Sequence, residues 1–566
     1  MSTIKEIVSR QVDVKHFNFA IDVVDEWAAS SPDLRAMLWT DEDGANPRDL
    51  SFRYFSQRSH RAARLLRDLG VQKGDTAMFL LPRVPAWWEI ATGALRAGVV
   101  VSPCPTLATA KDISFRANAS KATCLVGDAE MIERFLAVRH ECPTVKYLLQ
   151  VDDGAVPLQE GALGYEELVA AYPPDTAFRG GATVATDPAF IFFTSGTSGP
   201  PKMVVHNHLY PLGHVATGKH WLMLEPGKLY WNMADQGWAK AAWSWFSAWN
   251  AGAALFVQRL SGAFSPSTII KSLHNHPITT LCVPPTAFRR LVLPDARELL
   301  RKMPPARLEH SVAAGEALEA DLIRAWKDMT GIEIKDGYGQ TETPLLCGNL
   351  PGYPVKPGSM GLPIPGMPLS VVDEDGRECG IGVEGNIALA ARDEHGQAPF
   401  GIFEGYLASD GTKKLDLRQG ADSKQWWYLT GDKASRDEDG YFWFIGRADD
   451  VINSSGYRIG PSEVEAVLQE HPCVVESAVV ASPSAERGDV VKAFIILSET
   501  ARTEDQDRLA KDIQEHCKRV AAPYKYPRRI EFVGNDFFPR TTSGKIQRAK
   551  LREWERAKQV PARARL

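Results

Sequence analysis

The sequence predicts an α/β protein: a large N-terminal domain of mostly parallel sheets with a β-rich subdomain, then a small α+β domain at the C-terminus. Three observations carry that expectation. A strand, a helix and a second strand follow one another within residues 76–101. Asp-Gly turns beside β-rich segments begin after Leu369. A compact alternation of helices and strands starts after Arg447.

Thr76–Leu81 is an unbroken apolar run of strand length. Pro85 opens a helix-like run to Ala97, Gly98 closes it, and Val99–Val101 supplies the next strand. Strand, helix and strand at that spacing describe a right-handed βαβ unit. The alternation recurs where Pro266 opens a helix and Ile278–Val283 reads as a strand. Asp375-Gly376 and Asp439-Gly440 then mark hairpin turns. Pro461–Glu470 begins with Pro and carries acids in its first turn, the pattern of a helix start. Ser477–Val480 and Val490–Leu497 are strand-like, and Leu509, Ile513, Cys517 and Val520 form one apolar stripe on a charged helix. The boundary is expected near Gly446–Asp450, giving domains of residues 1–446 and 447–566.

Composition narrows the function. The chain has 566 residues, 65 Lys+Arg against 70 Asp+Glu, 44% hydrophobic and 24% charged. Those are globular proportions, and a net charge of −5 argues against a nucleic-acid partner. Eight cysteines are scattered without a Cys-x-x-Cys pair, which supports neither a zinc site nor a disulfide framework. The start, Met1–Gln11, mixes acid and base and lacks an apolar core run. No stretch approaches the ~20 apolar residues of a membrane span. A cytoplasmic protein is expected.

Phosphate chemistry enters at Thr194-Ser195-Gly196-Thr197-Ser198-Gly199-Pro200-Pro201-Lys202, which follows the apolar strand Ala189–Phe193. Polyphosphate binding needs close backbone N–H groups, which Gly permits, plus hydroxyl donors and a cation. The segment is not a Walker A loop, because Lys202 follows Pro201 and precedes Met203. A nearer match, Gly213–His220, has His220 where Mg²⁺ needs a hydroxyl and no apolar strand before it, so it reads as coincidence. The His-Asn-His triplets at 206–208 and 274–276 lack carboxylate or cysteine company and read as cap and surface residues.

Four more segments follow in order: Asp336-Gly-Tyr-Gly-Gln-Thr-Glu342, Tyr428-Leu-Thr-Gly-Asp432, Gly446–Ile452 with Ser454–Gly460, and Pro539-Arg-Thr-Thr-Ser-Gly-Lys545. With the Thr194–Lys202 loop this series resembles the adenylate-forming superfamily of acyl-CoA synthetases, adenylation domains and luciferases. Ala522–Arg528 and Glu486–Lys492 are most similar to its medium-chain acyl-CoA synthetase branch. The resemblance implies an ATP-dependent carboxylic acid–CoA ligase that works through an acyl-adenylate and uses ATP, CoA and Mg²⁺, with a small carboxylic acid as partner. It leaves room for a homodimer.

The resemblance also assigns roles. Lys545 bridges the carboxylate and α-phosphate, with Ser543 and Gly544 letting its loop insert. Thr341 bonds the α-phosphate and Glu342 ligates Mg²⁺. Tyr338 stacks on adenine, whose amino edge meets Asp336 and the Gly315-Glu316-Ala317 backbone, while Gly337, Gly339 and Gln340 belong to the same strip. Asp432 accepts from the ribose hydroxyls with Arg447 beside it. Ser455, Gly456, Tyr457, Arg458 and Arg487 match CoA-contacting positions, and arginine's planar fork suits phosphates. Asp449 is the hinge about which residues ~450–566 rotate between half-reactions.

By the same resemblance the acyl pocket is expected at Trp238, Ala239, Ala241 and Ala242, with Gly339. Alanines stand where bulkier aliphatics are frequent, and six of the 15 tryptophans lie between 221 and 249. Core packing explains a Trp-rich helix as well as a pocket wall does. As a wall, small Ala beside rigid Trp suits a broad acid, so a medium-chain, aromatic or bulky cyclic substrate is expected. Transfer to a carrier-protein phosphopantetheine is the nearest rival. A P-loop kinase through residues 213–220 and a non-enzymatic nucleotide-binding module are more distant ones.

Overall fold

The structure, a computed structural model, describes residues 13–559 apart from 45, 153–155, 181–182, 195–200, 261, 263, 317, 393–397, 409, 422–424, 455–456, 485–487, 521–524 and 542–543. It is the expected mixed α/β protein. Two compact units divide it. One takes in residues up to Thr194, Pro201–Pro368 and Ala390–Leu417, the other Leu369–Leu389 and Arg418 onward.

The first unit holds two nine-stranded sheets. In one, Thr76–Leu80 lies parallel between Val100–Pro103 and Ala122–Gly127, and the crossover is the helix Pro85–Ala97. Pro85 occupies its first turn and Gly98, at φ 71°, ends it in the left-handed conformation that glycine tolerates. Every residue of this helix is buried, so no polar stripe exists to mark a solvent face. It packs closely on helix Phe52–Asp68: a Cβ at Gly93 would stand 2.8 Å from the Ala62 Cβ and 2.9 Å from the Ser59 carbonyl oxygen.

The second sheet runs parallel through Ile334–Gly339, His310–Ala314, Thr280–Cys282, Leu229–Asn232, Ala254–Gln258 and Arg35–Thr40. Trp231, Phe256, Leu281, Val283 and Ile334 join its core. The helix Ala239–Asn250 supplies Trp245 and Trp249, both fully buried; Trp245 meets Phe19 edge-on at 5.3 Å and Trp249 donates from Nε1 to the Ala36 carbonyl at 3.0 Å. Those two tryptophans therefore follow the core reading.

Residues 213–220 form no loop. Tyr210–Ala216 is helical and runs into the wider helical turn Thr217–Trp221. A Cβ at Gly218 would stand 2.5 Å from the Ser247 carbonyl oxygen, so this glycine serves helix packing. The first His-Asn-His triplet corrects the expectation of cap and surface residues: His206 and His208 lie in strand Lys202–Asn207 or just after it and are buried. Met203–Asn207 are all buried, so both faces of this strand are covered, which residue type alone does not announce.

In the second unit, Leu369–Val372 pairs antiparallel with Gly385–Ala390, and Trp426–Arg436 with Phe442–Arg447 across the Asp439-Gly440 turn. Farther on, Gly488–Leu497 is flanked by Val474–Ser484, Ile452–Ser454 and the parallel strand Arg529–Val533. Helices Pro461–Gln469, Gln506–Val520 and Arg548–Gln559 complete it. Leu509, Ile513 and Cys517 are buried in its core with Ile452, Val464 and Val479, whereas Val520, expected in the same stripe, is 44% exposed at the helix end. Among the described residues no helix is long and apolar enough to cross a membrane.

Candidate active site

Parallel α/β sheets bind ligands beyond the carboxyl ends of their strands, where backbone N–H groups and loops converge. In the first unit that edge carries the expected residues. His310–Ala314 runs out into Gly315, which turns at φ 99°, and Glu316, whose carboxylate lies 3.9 Å from Arg289. The adjacent strand Ile334–Gly339 contains Asp336, Gly337, Tyr338 and Gly339, and Gln340, Thr341 and Glu342 form the turn beyond it.

The strip rests on Trp221. Its Nε1 donates to the Asp336 carbonyl at 3.0 Å, and a Cβ at Gly337 would stand 2.4 Å from the indole ring. Only glycine lets the strand lie that close. The Asp336 carboxylate accepts from the Gly337 N–H at 2.9 Å, and burial pushes its pKa up to about 7. Tyr338 is half-buried beside it.

Thr341 and Glu342 are held from three directions. The ring of His206 lies 2.6 Å from the Thr341 carbonyl through Nε2. Burial pushes His206 down to about 3, so it is neutral and Nε2 carries the donated hydrogen. Phe403 N–H donates to the Glu342 carbonyl at 2.9 Å, and the Tyr406 hydroxyl donates to Glu342 Oε1 at 2.7 Å. Glu342 is 8% exposed. Tyr406 also carries the Lys202 ammonium over its ring at 4.8 Å, because strand Gly405–Leu407 pairs with strand Lys202–Asn207. Thr194 faces Lys202 at the end of the adjoining strand. Ser195, Gly196, Thr197, Ser198, Gly199 and Ala317 lie outside the described residues.

Trp238 precedes the helix Ala239–Asn250, and Ala239, Ala241 and Ala242 are buried in its first turn. Lys240 between them donates from Nζ to the Ala314 carbonyl at 2.8 Å, which ties the head of this helix to the strand end preceding Gly315. Gly339 sits where a Cβ would approach the Pro344 carbonyl oxygen at 2.6 Å.

In the second unit Asp432 and Arg447 are cross-strand partners. The Arg447 guanidinium lies 3.3 Å from the Asp432 carboxylate and 3.6 Å from that of Asp449, and Asp432 is 4% exposed. Asp449 is also 4.0 Å from Arg552. Tyr457 and Arg458 lie on strand Tyr457–Ile459, opposite Ser454 and Asn453; Ser455, Gly456 and Arg487 lie outside the described residues. Lys545 is exposed in a tight loop: its carbonyl accepts from Thr541 N–H at 2.8 Å, its N–H donates to Thr541 Oγ1 at 3.1 Å, and Gly544 turns at φ 83°.

Sequence reasoning missed Tyr406, His206, Trp221 and Lys240. In the sequence His206 stands out only as part of a His-Asn-His triplet and Trp221 only as one of a tryptophan-rich run, and neither pattern indicates what they hold. Tyr406 carried no signal beyond its place after Gly405.

The comparisons with known proteins identify the family. The AMP-binding enzyme family model matches residues 24–407, and that of the AMP-binding enzyme C-terminal domain matches 463–545. Human acyl-coenzyme A synthetase ACSM5, mitochondrial, is 43% identical over 97% of this chain and 92% of its own length. Human ACSM3, mitochondrial, is 42% identical over 96% and 90%. Among solved structures, the anthranilate CoA ligase AuaEII in complex with anthranoyl-AMP superposes with a TM-score of 0.81 at 28% identity, covering 97% of this chain and 98% of that one. A Brucella canis acyl-CoA synthetase gives 0.72 at 30% identity, with 99% and 98% covered. The mitochondrial designation of these relatives overturns the cytoplasmic expectation, which rested on finding no leader in Met1–Gln11; the want of a recognised address is not itself an address. On these matches, which span nearly its whole length, the chain belongs to the AMP-binding enzyme family.

Proposed function

We infer that the chain is an ATP-dependent acyl-CoA synthetase. It joins a carboxylic acid to CoA through an acyl-adenylate and releases AMP and pyrophosphate. The observation that carries this reading is the strip Asp336–Glu342 at the carboxyl edge of a parallel sheet, with Glu342 fixed by Tyr406 and Phe403. In the first half-reaction a carboxylate oxygen of the acid attacks the α-phosphorus of ATP. The acyl–oxygen–phosphorus bond forms as the bond to pyrophosphate breaks. In the second, the CoA thiol gives up its proton, its sulfur attacks the acyl carbon, and AMP departs with the oxygen and its electron pair.

The first step brings an anion towards a polyanion, so cationic and hydrogen-bonding groups must be in place beforehand. Lys545 bridges carboxylate and α-phosphate, Thr341 bonds the α-phosphate, and Lys202 with Thr194 and residues 195–199 serves the outer phosphates. Tyr338 stacks on adenine, the Gly315–Ala317 backbone and Asp336 read its edge, and Asp432 takes the ribose hydroxyls with Arg447 beside it. The carboxylate of Glu342 is the hard oxygen donor that Mg²⁺ takes. Bound there, Mg²⁺ would neutralise phosphate charge.

Tyr457, Arg458, Ser455, Gly456 and Arg487 serve CoA. Residues 447–566 move about Asp449 between the half-reactions. Trp238, Ala239, Ala241, Ala242 and Gly339 line the acyl pocket of a medium-chain, aromatic or bulky cyclic acid. Mitochondrial placement follows the relatives. The similarity to proteins named CoA synthetases and CoA ligases supports free CoA over a carrier protein.

The test is a pyrophosphate-release screen over straight-chain, aromatic and polycyclic acids, with CoA and a phosphopantetheinyl carrier protein compared as acceptors. Release of ADP and phosphate instead of AMP and pyrophosphate would refute the ligase reading.

A further inference from the structure

The loop that carries Lys545 is anchored at both ends and open at its tip. Phe538 is buried in a hydrophobic cluster with Ala478, Val480, Phe494 and Leu551, and Ile546 packs against the same cluster. Between those anchors the chain folds back on itself. Gln547 N–H donates to the Pro539 carbonyl at 2.8 Å, Arg540 lies opposite Ile546, and Thr541 pairs with Lys545. Gly544 and Lys545 are exposed. Apolar packing therefore fixes where the loop stands, but not how its tip is turned.

Arg540 reaches that tip. Its Nη1 donates to the Gly544 carbonyl at 3.1 Å, the oxygen of the peptide that joins Gly544 to Lys545. Its Nη2 donates to both carboxylate oxygens of Glu476, at 2.8 and 2.6 Å. Its own carbonyl accepts from Gln547 Nε2 at 2.9 Å. Arg540 is thus held through main chain and side chain alike.

An irregularity in the strand Val474–Ser484 supplies Glu476. Val479 and Ala481 of this strand join one core, Ala478 and Val480 the other. Strict alternation would put Val474 on the same side as Glu476. The register shifts between them instead, with Val474 opposite Leu497 and Glu476 opposite Ile496. That bulge lets Val474 pack against the core of Ile513 while Glu476 meets Arg540. The side chains of Arg540 and Glu476 are 39% and 31% exposed, and ion pairs so open to water add little to stability. What the pair does supply is orientation.

We propose that Arg540 and Glu476 are positioning residues for adenylation. Glu476 holds Arg540, and Arg540 holds the Gly544–Lys545 peptide in the orientation from which Lys545 acts. Rate depends steeply on the placement of such a group, so a loop tip free to turn would slow the step that uses it. The inference rests on the acyl-CoA synthetase reading and on the role of Lys545 within it, and adds two residues to that role.

Separate measurement of the half-reactions tests it, with octanoate or benzoate, whichever the unaltered protein adenylates faster. Arg540→Met keeps a long side chain and removes its donors; Glu476→Gln keeps the shape and removes the charge. At saturating ATP, acyl-adenylate formation should fall about tenfold in Arg540→Met and about threefold in Glu476→Gln, with the KM for ATP within about twofold. Conversion of supplied acyl-adenylate to thioester should stay within about twofold of the unaltered rate, because Lys545 serves the other half-reaction. Since Glu476 acts through Arg540, the double variant should be no slower than Arg540→Met alone. Losses that multiply in the double variant overturn the relay. So does an unchanged adenylation rate in both single variants. Equal slowing of both half-reactions with a lowered melting temperature makes the pair structural and overturns the proposal as well. Lys545→Ala is the control. If it adenylates at the full rate, or if the unaltered protein releases no pyrophosphate with either acid, the reading of Lys545 falls and this inference with it.

Discussion

Replacing Tyr406 by Phe removes one oxygen and leaves the ring in place. The lost contact is the 2.7 Å hydrogen bond to Glu342 Oε1, made to a residue that is 8% exposed. A hydrogen bond to a charged group contributes ~1.5–3 kcal/mol, and the half-buried position of Tyr406 argues for the lower end. At ~1.4 kcal/mol per factor of ten, the carboxylate should be about tenfold less available in its bound orientation. The Glu342 backbone stays clamped by Phe403 N–H, and the Lys202 ammonium keeps its aromatic face. The damage should therefore fall on metal dependence alone. Pyrophosphate exchange titrated with Mg²⁺ should show half-saturation raised about tenfold, with the rate recovering at high Mg²⁺. Calorimetry should show a matching loss in Mg²⁺·ATP affinity and none for ATP without metal. Conversion of supplied acyl-adenylate to thioester should be unaffected. Glu342→Gln is the control. If Glu342→Gln shifts the Mg²⁺ dependence and Tyr406→Phe does not, the positioning argument fails; if neither does, Glu342 is not the metal ligand.

Three further outcomes are expected. Gly93→Ala forces a methyl against the Ala62 Cβ and Ser59 carbonyl at the helix crossing, so chemical denaturation should show a loss of about 1–3 kcal/mol; an unchanged midpoint would mean the helices separate freely. Burial lowers His206 to about 3, His208 and His310 to about 4, and His214 well below its ordinary value, so all four are neutral when folded yet protonate near pH 6.5 when unfolded. Their contribution is complete above pH 6.5 and is lost progressively as the pH falls towards 4, and the melting temperature should follow; a flat profile from pH 7 to 4.5 would contradict it. Lys545→Ala should abolish acyl-adenylate formation yet still convert supplied adenylate to thioester, while Asp449→Pro should keep adenylation and lose thioester formation. Equal damage to both halves in both variants would sink the alternation of residues 447–566.

Local chemistry made much of the fold legible. Pro85 and Gly98 bracket a helix because one lacks an N–H that the first turn does not need and the other tolerates φ 71°. The Asp439-Gly440 turn and the apolar run at Thr76 are likewise properties of a few consecutive residues. The order of motifs from Thr194 to Lys545 was equally readable and identified the family and its reaction. The tertiary structure alone decided what holds those motifs. Trp221 lies 115 residues from Asp336, His206 is 135 from Thr341, and Tyr406 is 64 from Glu342. No periodicity encodes such pairs, because they arise only when strand Gly405–Leu407 docks on Lys202–Asn207 and the sheet order sets which side chains face one another.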